Sequence, residues 1–367
     1  MTHGPYGKDA HFEDAFKPQW DELKRLYPGI DTDGSSGRYL RWEVADPERW
    51  IELQWANDST ANNLWINDGK GNFTEQSVTL APAFKDLGMV TDSQVFDWDG
   101  DGKNDLAVVG EWMAPTFFKN TGGKLEKVEM PNLTNLKGWY RVVEIGDFDG
   151  NGLQDLALGN HGLNSRFKVS ATSPVSMFLN DFDQNGSIEQ IYTQKIGEVQ
   201  VPFTLKHELE RQVPGIKKKY IRYADYNNQS LENIFPKEII DKSIVQEVNH
   251  FESGVLLNMG DGNFEWKAFP SMAQRSWVFA IQVLDLNADG ILDLILGGNL
   301  AQVKPEIGKF DGSFGEVLLG KGDGTFTFSP NRENGLMLEG DIRKFSILGN
   351  ILGKMLMEEL HLSKVIT

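Results

Sequence analysis

Short apolar runs alternate with polar residues along most of the chain, and an acidic nine-residue segment interrupts them four times. The segments are DWDGDGKND (97–105), DFDGNGLQD (147–155), DFDQNGSIE (181–189) and DLNADGILD (285–293). Each has Asp or Asn at positions 1, 3 and 5, Gly at position 6 and an acid at position 9, and an apolar run follows it. The residues before the second and fourth segments, YRVVEIG and VFAIQVL, are rich in strand formers. This pattern predicts a repeated unit of strand, acidic loop and strand.

A second recurring pattern is an Asn/Gly turn between β-rich runs. It occurs in LWINDGKGNFTE (64–75), FFKNTGGKLEKV (117–128), LLNMGDGNFEW (256–266) and LLGKGDGTFTF (318–328). Gly and Asn supply the positive φ angles of tight hairpins. The first two acidic segments start 50 residues apart, and the last two start 104 apart, which we interpret as two steps of 52. A period near 50 residues with several short strands per unit is typical of a β-propeller.

One region interrupts the β pattern and predicts a helical insertion over about 204–242. LKHELERQV follows Thr204, a candidate N-cap, and LENIF follows Ser230, another candidate. A proline ends each of these segments. We therefore assign the propeller to residues 39–348. Residues 1–38 remain uncertain, although Pro18–Gly29 is compatible with a helix. The tail 349–367 is atypical, and its sequence predicts an amphipathic helix from Leu352.

Composition and charge exclude several functional classes. The 367 residues contain no Cys, which removes disulfides, Cys-based zinc sites, iron–sulfur clusters and thiol nucleophiles. The formal net charge of −17 disfavours nucleic-acid binding and suits the binding of cations. No apolar run approaches the roughly 20 residues of a membrane span, and the start of the chain lacks the basic and apolar regions of a signal peptide.

The acidic segments have the side chains of a calcium-binding loop. Ca²⁺ takes about 6–8 oxygen ligands in flexible geometry, and a loop that offers side chains at positions 1, 3, 5 and 9 with a carbonyl at position 7 can wrap around one ion. Gly at position 6 permits the sharp turn. The predicted ligands, with the carbonyl donor fourth in each set, are Asp97, Asp99, Asp101, Lys103 and Asp105; Asp147, Asp149, Asn151, Leu153 and Asp155; Asp181, Asp183, Asn185, Ser187 and Glu189; and Asp285, Asn287, Asp289, Ile291 and Asp293.

The alternative interpretation is a set of Asp-Gly turns with solvated acids. Four copies of the same constrained positions favour metal binding, because unneutralised carboxylates at this density repel one another. Mg²⁺ fits less well, since it requires strict octahedral geometry. We therefore predict up to four structural Ca²⁺ sites. The third is the weakest candidate, because it ends in the longer Glu189.

No catalytic motif accompanies these loops. The sequence contains no HExxH, GxSxG or phosphate-binding loop, and the carboxylates are already assigned as metal ligands. His161 follows the second loop and is a candidate ligand-binding residue, although surface packing is the favoured interpretation. Trp139 and Trp277 each lie eight residues before an acidic loop, which favours a core position over sugar stacking. The sequence therefore favours a protein that is not an enzyme.

The acidic loops and hairpins resemble the FG-GAP/VCBS repeats of integrin-α-like β-propellers. VVGEWMAPTFFKN, LGNHGLNSRF and FLNDFDQNGSIEQI further resemble bacterial VCBS-repeat proteins of the ASPIC/UnbV-associated type. The resemblance covers about Leu64 to Leu348. It implies an all-β, seven-bladed propeller with Ca²⁺ in the blade loops and an extracellular, periplasmic or cell-surface location. Motifs for only five or six blades occur here, so we expect an incomplete propeller from a longer protein.

Three functions follow as hypotheses. The first is a calcium-stabilised binding or adhesion module with an unknown protein or glycan ligand. The second is a carbohydrate-active propeller enzyme, such as a polysaccharide lyase, with its site in the central channel or the insertion. The third is a polyanion or RNA binder that uses Lys217, Lys218, Lys219 and Arg222. The acidic net charge makes the third the weakest.

Overall fold

The computed structural model describes residues 39–43, 50–54, 62–227, 229–303, 308–351 and 354–359. The segment 1–38, with the predicted helix at Pro18–Gly29, lies outside these residues. The chain divides into two compact units, one formed by Met1–Leu87 with Asn120–Glu126 and the other by Gly88–Lys119 with Lys127–Thr367. Among the described residues, no helix is long and apolar enough to span a membrane.

Most of the described elements are short β-strands. They are β1 (Tyr39–Glu43), β2 (Trp50–Gln54), β3 (Asn63–Asn67), β4 (Phe73–Glu75), β5 (Met89–Phe96), β6 (Asp105–Met113), β7 (Thr116–Asn120), β8 (Leu125–Val128), β9 (Gly138–Trp139), β10 (Val142–Gly146), β11 (Asp155–Gly159), β12 (Val175–Asn180), β13 (Glu189–Ile196), β14 (Val199–Pro202), β15 (Ile244–Val248), β16 (Gly254–Asn258), β17 (Phe264–Ala268), β18 (Val278–Leu284), β19 (Asp293–Gly298), β20 (Glu316–Gly320), β21 (Phe326–Ser329), β22 (Phe345–Ile351) and β23 (Lys354–Glu359).

The helices are short and concentrated in one region. They are α1 (Ser77–Leu80), α2 (Lys206–Gln212), α3 (Ile216–Lys219), α4 (Tyr223–Tyr226), α5 (Leu231–Ile234), α6 (Lys237–Ile240) and α7 (Asn331–Asn334). Among the described residues, short 3₁₀ helices lie at Pro82–Asp86, Pro131–Leu133 and Ser271–Gln274.

In the first unit, β1 to β4 form an antiparallel meander. Asn67 closes the hairpin between β3 and β4, because its Oδ1 accepts the backbone N–H groups of Gly69 (2.9 Å) and Gly71 (3.3 Å). Gly69 and Gly71 both have positive φ. The hairpin predicted from the Asn/Gly pattern is confirmed here, and the other three turns likewise join β7 to β8, β16 to β17 and β20 to β21.

The remaining four-stranded sheets follow the same antiparallel plan. Three of them have the orders β5-β6-β7-β8, β10-β11-β16-β17 and β18-β19-β20-β21, and β9 additionally pairs with β6. The first strands β5, β10 and β18 lie side by side in this order. Apolar residues between these sheets form the core, with Phe117, Leu156 and Leu294 fully buried. The predicted all-β class of antiparallel, propeller-type sheets is confirmed.

The sheet β10-β11-β16-β17 is assembled from two distant stretches of chain. Leu156 on β11 pairs with Leu256 on β16, and the intervening residues form a separate sheet, of order β14-β13-β12-β15, together with helices α2 to α6. The interpretation of 104 residues as two regular repeat steps is therefore wrong. That interval contains the rest of the inserted sheet, the helices, and two strands that complete the preceding blade.

The helical part of the insertion lies where the sequence predicted it. Helix α5 follows Ser230, whose Oγ accepts the backbone N–H of Asn233 at 3.1 Å, so this predicted N-cap is confirmed. Thr204 is not an N-cap, because α2 is preceded by Leu205 and has no side-chain cap. Near the end of the chain, the helix predicted from Leu352 is wrong. Strand β23 pairs there with β22, which satisfies backbone groups that a short isolated helix would hold only marginally.

Candidate metal sites in the acidic loops

Each of the four acidic segments connects two antiparallel strands of one sheet. They lie between β5 and β6, β10 and β11, β12 and β13, and β18 and β19. Position 9 is in every case the first residue of the second strand, which is Asp105, Asp155, Glu189 or Asp293. The predicted unit of strand, acidic loop and strand is confirmed in all four copies.

The acid at position 1 holds each loop in a curl. In the second loop, the carboxylate of Asp147 accepts the backbone N–H groups of Gly150 (2.8 Å), Asn151 (3.1 Å) and Gly152 (2.9 Å). The N–H of position 6 makes the same contact to Asp97 (2.8 Å), Asp181 (2.8 Å) and Asp285 (2.9 Å). This arrangement directs the following side chains toward a common centre.

Position 5 has the same role in every loop. Its side-chain Oδ1 accepts the backbone N–H of position 7, so the predicted carbonyl donors Lys103, Leu153, Ser187 and Ile291 lie within the curl. The accepting residues are Asp101 (3.0 Å), Asn151 (2.7 Å), Asn185 (2.8 Å) and Asp289 (2.8 Å).

Position 3 distinguishes the third loop from the others. Asp99, Asp149 and Asn287 accept the N–H of position 5 at 3.1, 3.1 and 3.0 Å, respectively. In the third loop, Oδ1 of Asp183 is buried and accepts no hydrogen bond from any described residue. A buried carboxylate oxygen without a partner is costly, so a cation bound at this loop would offset that cost.

The backbone at position 4 is left-handed, as it is at position 6, and sequence reasoning missed it. Gly150 and Gly152 adopt φ of 75° and 85° in the second loop. In the third and fourth loops, Gln184 (φ 59°) and Ala288 (φ 60°) occupy position 4. Side chains other than Gly, Asn and Asp rarely adopt this conformation. The loop geometry therefore persists even where the sequence does not favour it.

The acid at position 9 is buried and connects the loop to the rest of its sheet. The carboxylate of Asp155 accepts the N–H of Phe148 in its own loop (2.8 Å) and the N–H of Asn258 on the third strand (2.7 Å). Asp293 repeats both contacts with equivalent residues at 2.8 Å. Glu189 accepts the N–H of Phe182 at 2.8 Å, so the longer side chain still reaches position 2.

Carboxylates at positions 1, 3 and 9 converge in the first three loops. One oxygen from each lies within 4.8 Å of the others in the sets Asp97, Asp99, Asp105; Asp147, Asp149, Asp155; and Asp181, Asp183, Glu189. Asn287 takes position 3 in the fourth loop. Burial, with smaller contributions from the charges of Asp149 and Asp147, raises the pKa of Asp155 to about 6 despite the two hydrogen bonds that lower it. Burial likewise raises the pKa of Glu189.

This donor set fits a hard divalent cation. All the converging atoms are carboxylate or amide oxygens, which Ca²⁺ and Mg²⁺ prefer over the softer transition metals. A cation at the centre would offset the repulsion between the carboxylates.

His161 does not lie on the surface, so the favoured interpretation of surface packing is wrong. It is 1% exposed, and its ring lies 4.4 Å from Phe251 and 4.5 Å from Trp277, centroid to centroid. Its Nδ1 lies 2.9 Å from the carbonyl oxygen of Gly162, and burial lowers its pKa to about 4. Trp139 and Trp277 are also buried and stack with an interplanar angle of 6°, as their predicted core role requires.

The basic run of the insertion is exposed on α3, and one of its lysines has a structural partner. Nζ of Lys219 donates to the carbonyl oxygens of Asn233 (2.6 Å) and Ile234 (2.8 Å) in helix α5. Next to these helices is a cavity of about 440 Å³ between the end of β14, the start of α2 and helix α4. Tyr223, Lys206, Asn227 and Gln229 are among the residues that line it, and Tyr223 is 58% exposed.

A repeat of strand, acidic loop and strand in antiparallel four-stranded sheets defines a class of propeller-type repeat proteins. The family model of the FG-GAP-like repeat matches this chain twice, over residues 49–108 and 97–158. The chain therefore contains FG-GAP-like repeats, which confirms the resemblance to the FG-GAP/VCBS repeat family. The ASPIC/UnbV relationship stays a prediction. No curated protein matches the chain.

Proposed function

We propose that the protein is a non-catalytic binding module in which calcium ions stabilise the acidic loops. The observation that carries the proposal is the common hydrogen-bond pattern of the loops. Positions 1 and 5 have the same role in all four loops, and the acid at position 9 accepts the N–H of position 2 in the second, third and fourth. Solvated turns would not require a buried acid at position 9 in every copy.

Calcium would act on the link between each loop and its sheet. The side chains at positions 1, 3, 5 and 9 and the carbonyl at position 7 would supply the ligands, up to four ions in all. Because Asp155 at position 9 of the second loop already accepts backbone N–H groups of its loop and of the third strand, and Asp293 does the same in the fourth, a cation on the same carboxylate would stabilise both contacts. A ligand present at 100 times its Kd adds about 2.7 kcal/mol to the free energy of unfolding.

The binding partner is proposed to be a glycan or a protein, and the insertion is the candidate contact site. Its cavity is of a size that accepts a small ligand. The exposed ring of Tyr223 beside polar side chains is an arrangement that suits stacking and hydrogen bonding to a sugar. An extracellular, periplasmic or cell-surface location is proposed from the repeat family and is compatible with millimolar calcium affinity.

Thermal unfolding of the full chain in EDTA, Ca²⁺ and Mg²⁺ tests the calcium proposal. We expect Tm to be lowest in EDTA and to rise with Ca²⁺ more than with Mg²⁺. The variant Asp147→Asn/Asp149→Asn, which removes two carboxylates of one loop, should lose part of the Ca²⁺-dependent rise. Asp261→Asn, on an exposed hairpin turn, should retain all of it. Identical melting curves in EDTA and Ca²⁺ would rule the proposal out.

The carbohydrate-active alternative makes a separate prediction. The observation that favours it is the cavity of the insertion with its exposed Tyr223. Incubation of the Ca²⁺-loaded protein with a panel of polysaccharides, followed by an assay for new chain ends, distinguishes the two. Retention on a glycan array without cleavage supports the binding module, whereas cleavage that the Tyr223→Ala variant loses supports the enzyme.

A further inference from the structure

The first acidic loop differs from the other three because a lysine from the neighbouring strand lies on its carboxylates. Lys119 is on β7, and its Nζ contacts Oδ2 of Asp99 and lies 3.4 Å from Oδ2 of Asp101. Within the loop, Nζ of Lys103 lies 3.0 Å from the same Asp101 oxygen. In the part of the chain that the structure describes, no Lys or Arg forms an ion pair with the carboxylates of the other three loops.

Strand register shows that this lysine replaces an apolar residue. Phe118 pairs with Leu106 just as Leu318 pairs with Leu294 in the last four-stranded sheet. Lys119, one residue further along, therefore corresponds to Leu319. The same comparison in the sheet β10-β11-β16-β17 matches Lys119 with the buried Leu257. Among these three sheets, only the one with the first loop has a cationic side chain at this position.

The ammonium occupies the region in which a bound cation would sit. The Asp99 side chain is 13% exposed and that of Asp101 is 25% exposed, so both carboxylates are largely shielded from solvent. The Lys119 side chain is 38% exposed. Its flexible four-carbon stem ends in a compact, strongly hydrated charge, so it can leave the loop for solvent at a modest cost.

We propose that Lys119 is the built-in counter-ion of the first loop, so that this loop binds a divalent cation more weakly than the other three and only when the ammonium moves away. This inference rests on the proposed calcium binding of the loops. The chain would then respond to calcium in two steps. Loops two, three and four would fill first, and the first loop would fill only at higher calcium concentration.

Electrostatics sets the size of the effect. A divalent ion and an ammonium about 5 Å apart repel one another enough, even at the dielectric constant of water, to weaken binding by roughly tenfold. We therefore expect Lys119→Met, which keeps the apolar stem and removes the charge, to tighten cation binding at the first loop about tenfold. The reciprocal variant Leu319→Lys should weaken binding at the fourth loop to a similar extent.

Terbium(III) luminescence reports on the first loop selectively. Trp98 occupies position 2 of this loop, whereas Phe148, Phe182 and Leu286 occupy it in the others. Energy transfer from an indole to a bound Tb³⁺ falls steeply with distance, so tryptophan-excited emission arises mainly from the first loop. Trp98→Phe, which keeps an aromatic ring against Phe117 and Phe264, should remove most of that emission.

The experiment titrates the protein with Tb³⁺ and then displaces the Tb³⁺ with Ca²⁺, while calorimetry counts all sites. The expected result is a weak, Trp98-dependent site in the natural protein that tightens about tenfold in Lys119→Met and stays weak in Lys124→Met. Lys124 is exposed on the adjacent turn, so its loss changes net charge equally. Leu319→Lys should weaken one of the tight calorimetric sites and leave the Trp98-dependent site unchanged.

The outcomes separate this inference from the proposed function. If calorimetry finds tight sites but Lys119→Met leaves the Trp98-dependent affinity within twofold of the natural protein, the counter-ion role of Lys119 is overturned and the calcium proposal stands. If no loop binds Tb³⁺ or Ca²⁺ in any variant, both are overturned.

Discussion

The buried carboxylate of Asp155 accepts the backbone N–H of Asn258 at 2.7 Å, although the two residues are 103 positions apart in the sequence. Asn258 in turn donates its Nδ2 to the carbonyl oxygen of Trp98 in the first acidic loop, at 2.8 Å. One acidic side chain therefore joins the second loop to the third strand of its sheet, and that strand is joined to the neighbouring loop. The whole insertion lies in the sequence between these two hydrogen-bonded residues.

This relationship predicts that Asp155→Asn destabilises the metal-free protein. An amide has one acceptor oxygen, so either Phe148 or Asn258 loses the partner of its backbone N–H, and a buried donor without a partner costs about 1–3 kcal/mol. Urea unfolding in EDTA measures the change. Asp261→Asn, on an exposed turn with φ of 53° that Asn tolerates, should change the unfolding free energy by less than about 0.5 kcal/mol. Equal losses in the two variants would contradict the structural role of Asp155.

The local parts of this architecture were predictable from sequence, and the non-local parts were not. Asp, Asn and Gly at fixed positions determine the curl of each loop through hydrogen bonds between near neighbours, so four loops and four hairpins follow from the pattern. The pairing of Leu156 with Leu256 depends on contacts between distant residues, and nothing in the local sequence separates strands β12 to β15 from those of a blade. The extent of the insertion was therefore missed.

One wrong prediction and one unpredicted feature concern single residues, and both have physical causes. The sequence predicts a loop at His161, just after β11, and polar residues in loops are usually exposed. His161 is nevertheless buried, because aromatic residues from the insertion, such as Phe251, cover it. Ala288 takes a left-handed conformation that its side chain disfavours, since the rest of the loop holds it there.

The backbone strain at position 4 predicts opposite effects for two substitutions. Ala288→Gly should stabilise the protein by about 1 kcal/mol, because glycine adopts the φ of 60° without a steric penalty. Gly150→Ala, at the same position of the second loop with φ of 75°, should destabilise it by a similar amount. The midpoints of urea unfolding in EDTA compare the two. A stabilising Gly150→Ala would show that the loops differ in backbone conformation.

Two half-buried acids away from the loops predict an unusual pH dependence. Burial raises the pKa of both Asp92 and Glu144 to about 7. The folded protein therefore holds protons that the unfolded chain has already lost above pH ~4. Stability should fall as the pH rises from about 4 to about 7, and the full penalty applies above that range.

Asp92→Asn isolates one of these groups. The amide oxygen can still accept the N–H of Val143, which Asp92 binds at 2.8 Å, but the side chain no longer titrates. Between pH 4 and 7, we expect the free energy of unfolding to decrease by roughly 2–4 kcal/mol less in the variant than in the natural protein. Asp311→Asn, on an exposed loop, should retain the full slope in chemical unfolding measured across this range in EDTA. The same slope in Asp92→Asn and the natural protein would show that Asp92 is ionised throughout.

The buried His161 predicts a pH dependence of the opposite sign. Burial lowers the pKa of His161 to about 4. The unfolded chain therefore binds a proton near pH 6.5, whereas the folded protein does not bind it until the pH approaches 4. The stability of the natural protein should therefore fall as the pH drops from about 6.5 to about 4, by up to roughly 3 kcal/mol from this residue.

His161→Phe removes the contribution and keeps an aromatic ring among its neighbours. At neutral pH the variant should be slightly less stable, since the Nδ1 contact with Gly162 is lost, and this deficit should shrink or reverse toward pH 4. His250, whose pKa burial also lowers to about 4, is present in both proteins and cancels in the comparison. His207→Phe on helix α2 serves as the control, and its difference from the natural protein should not follow the same trend. A stability gap between His161→Phe and the natural protein that stays constant from pH 7 to pH 4 would mean that the imidazole is protonated in the folded core or that the core opens before it titrates.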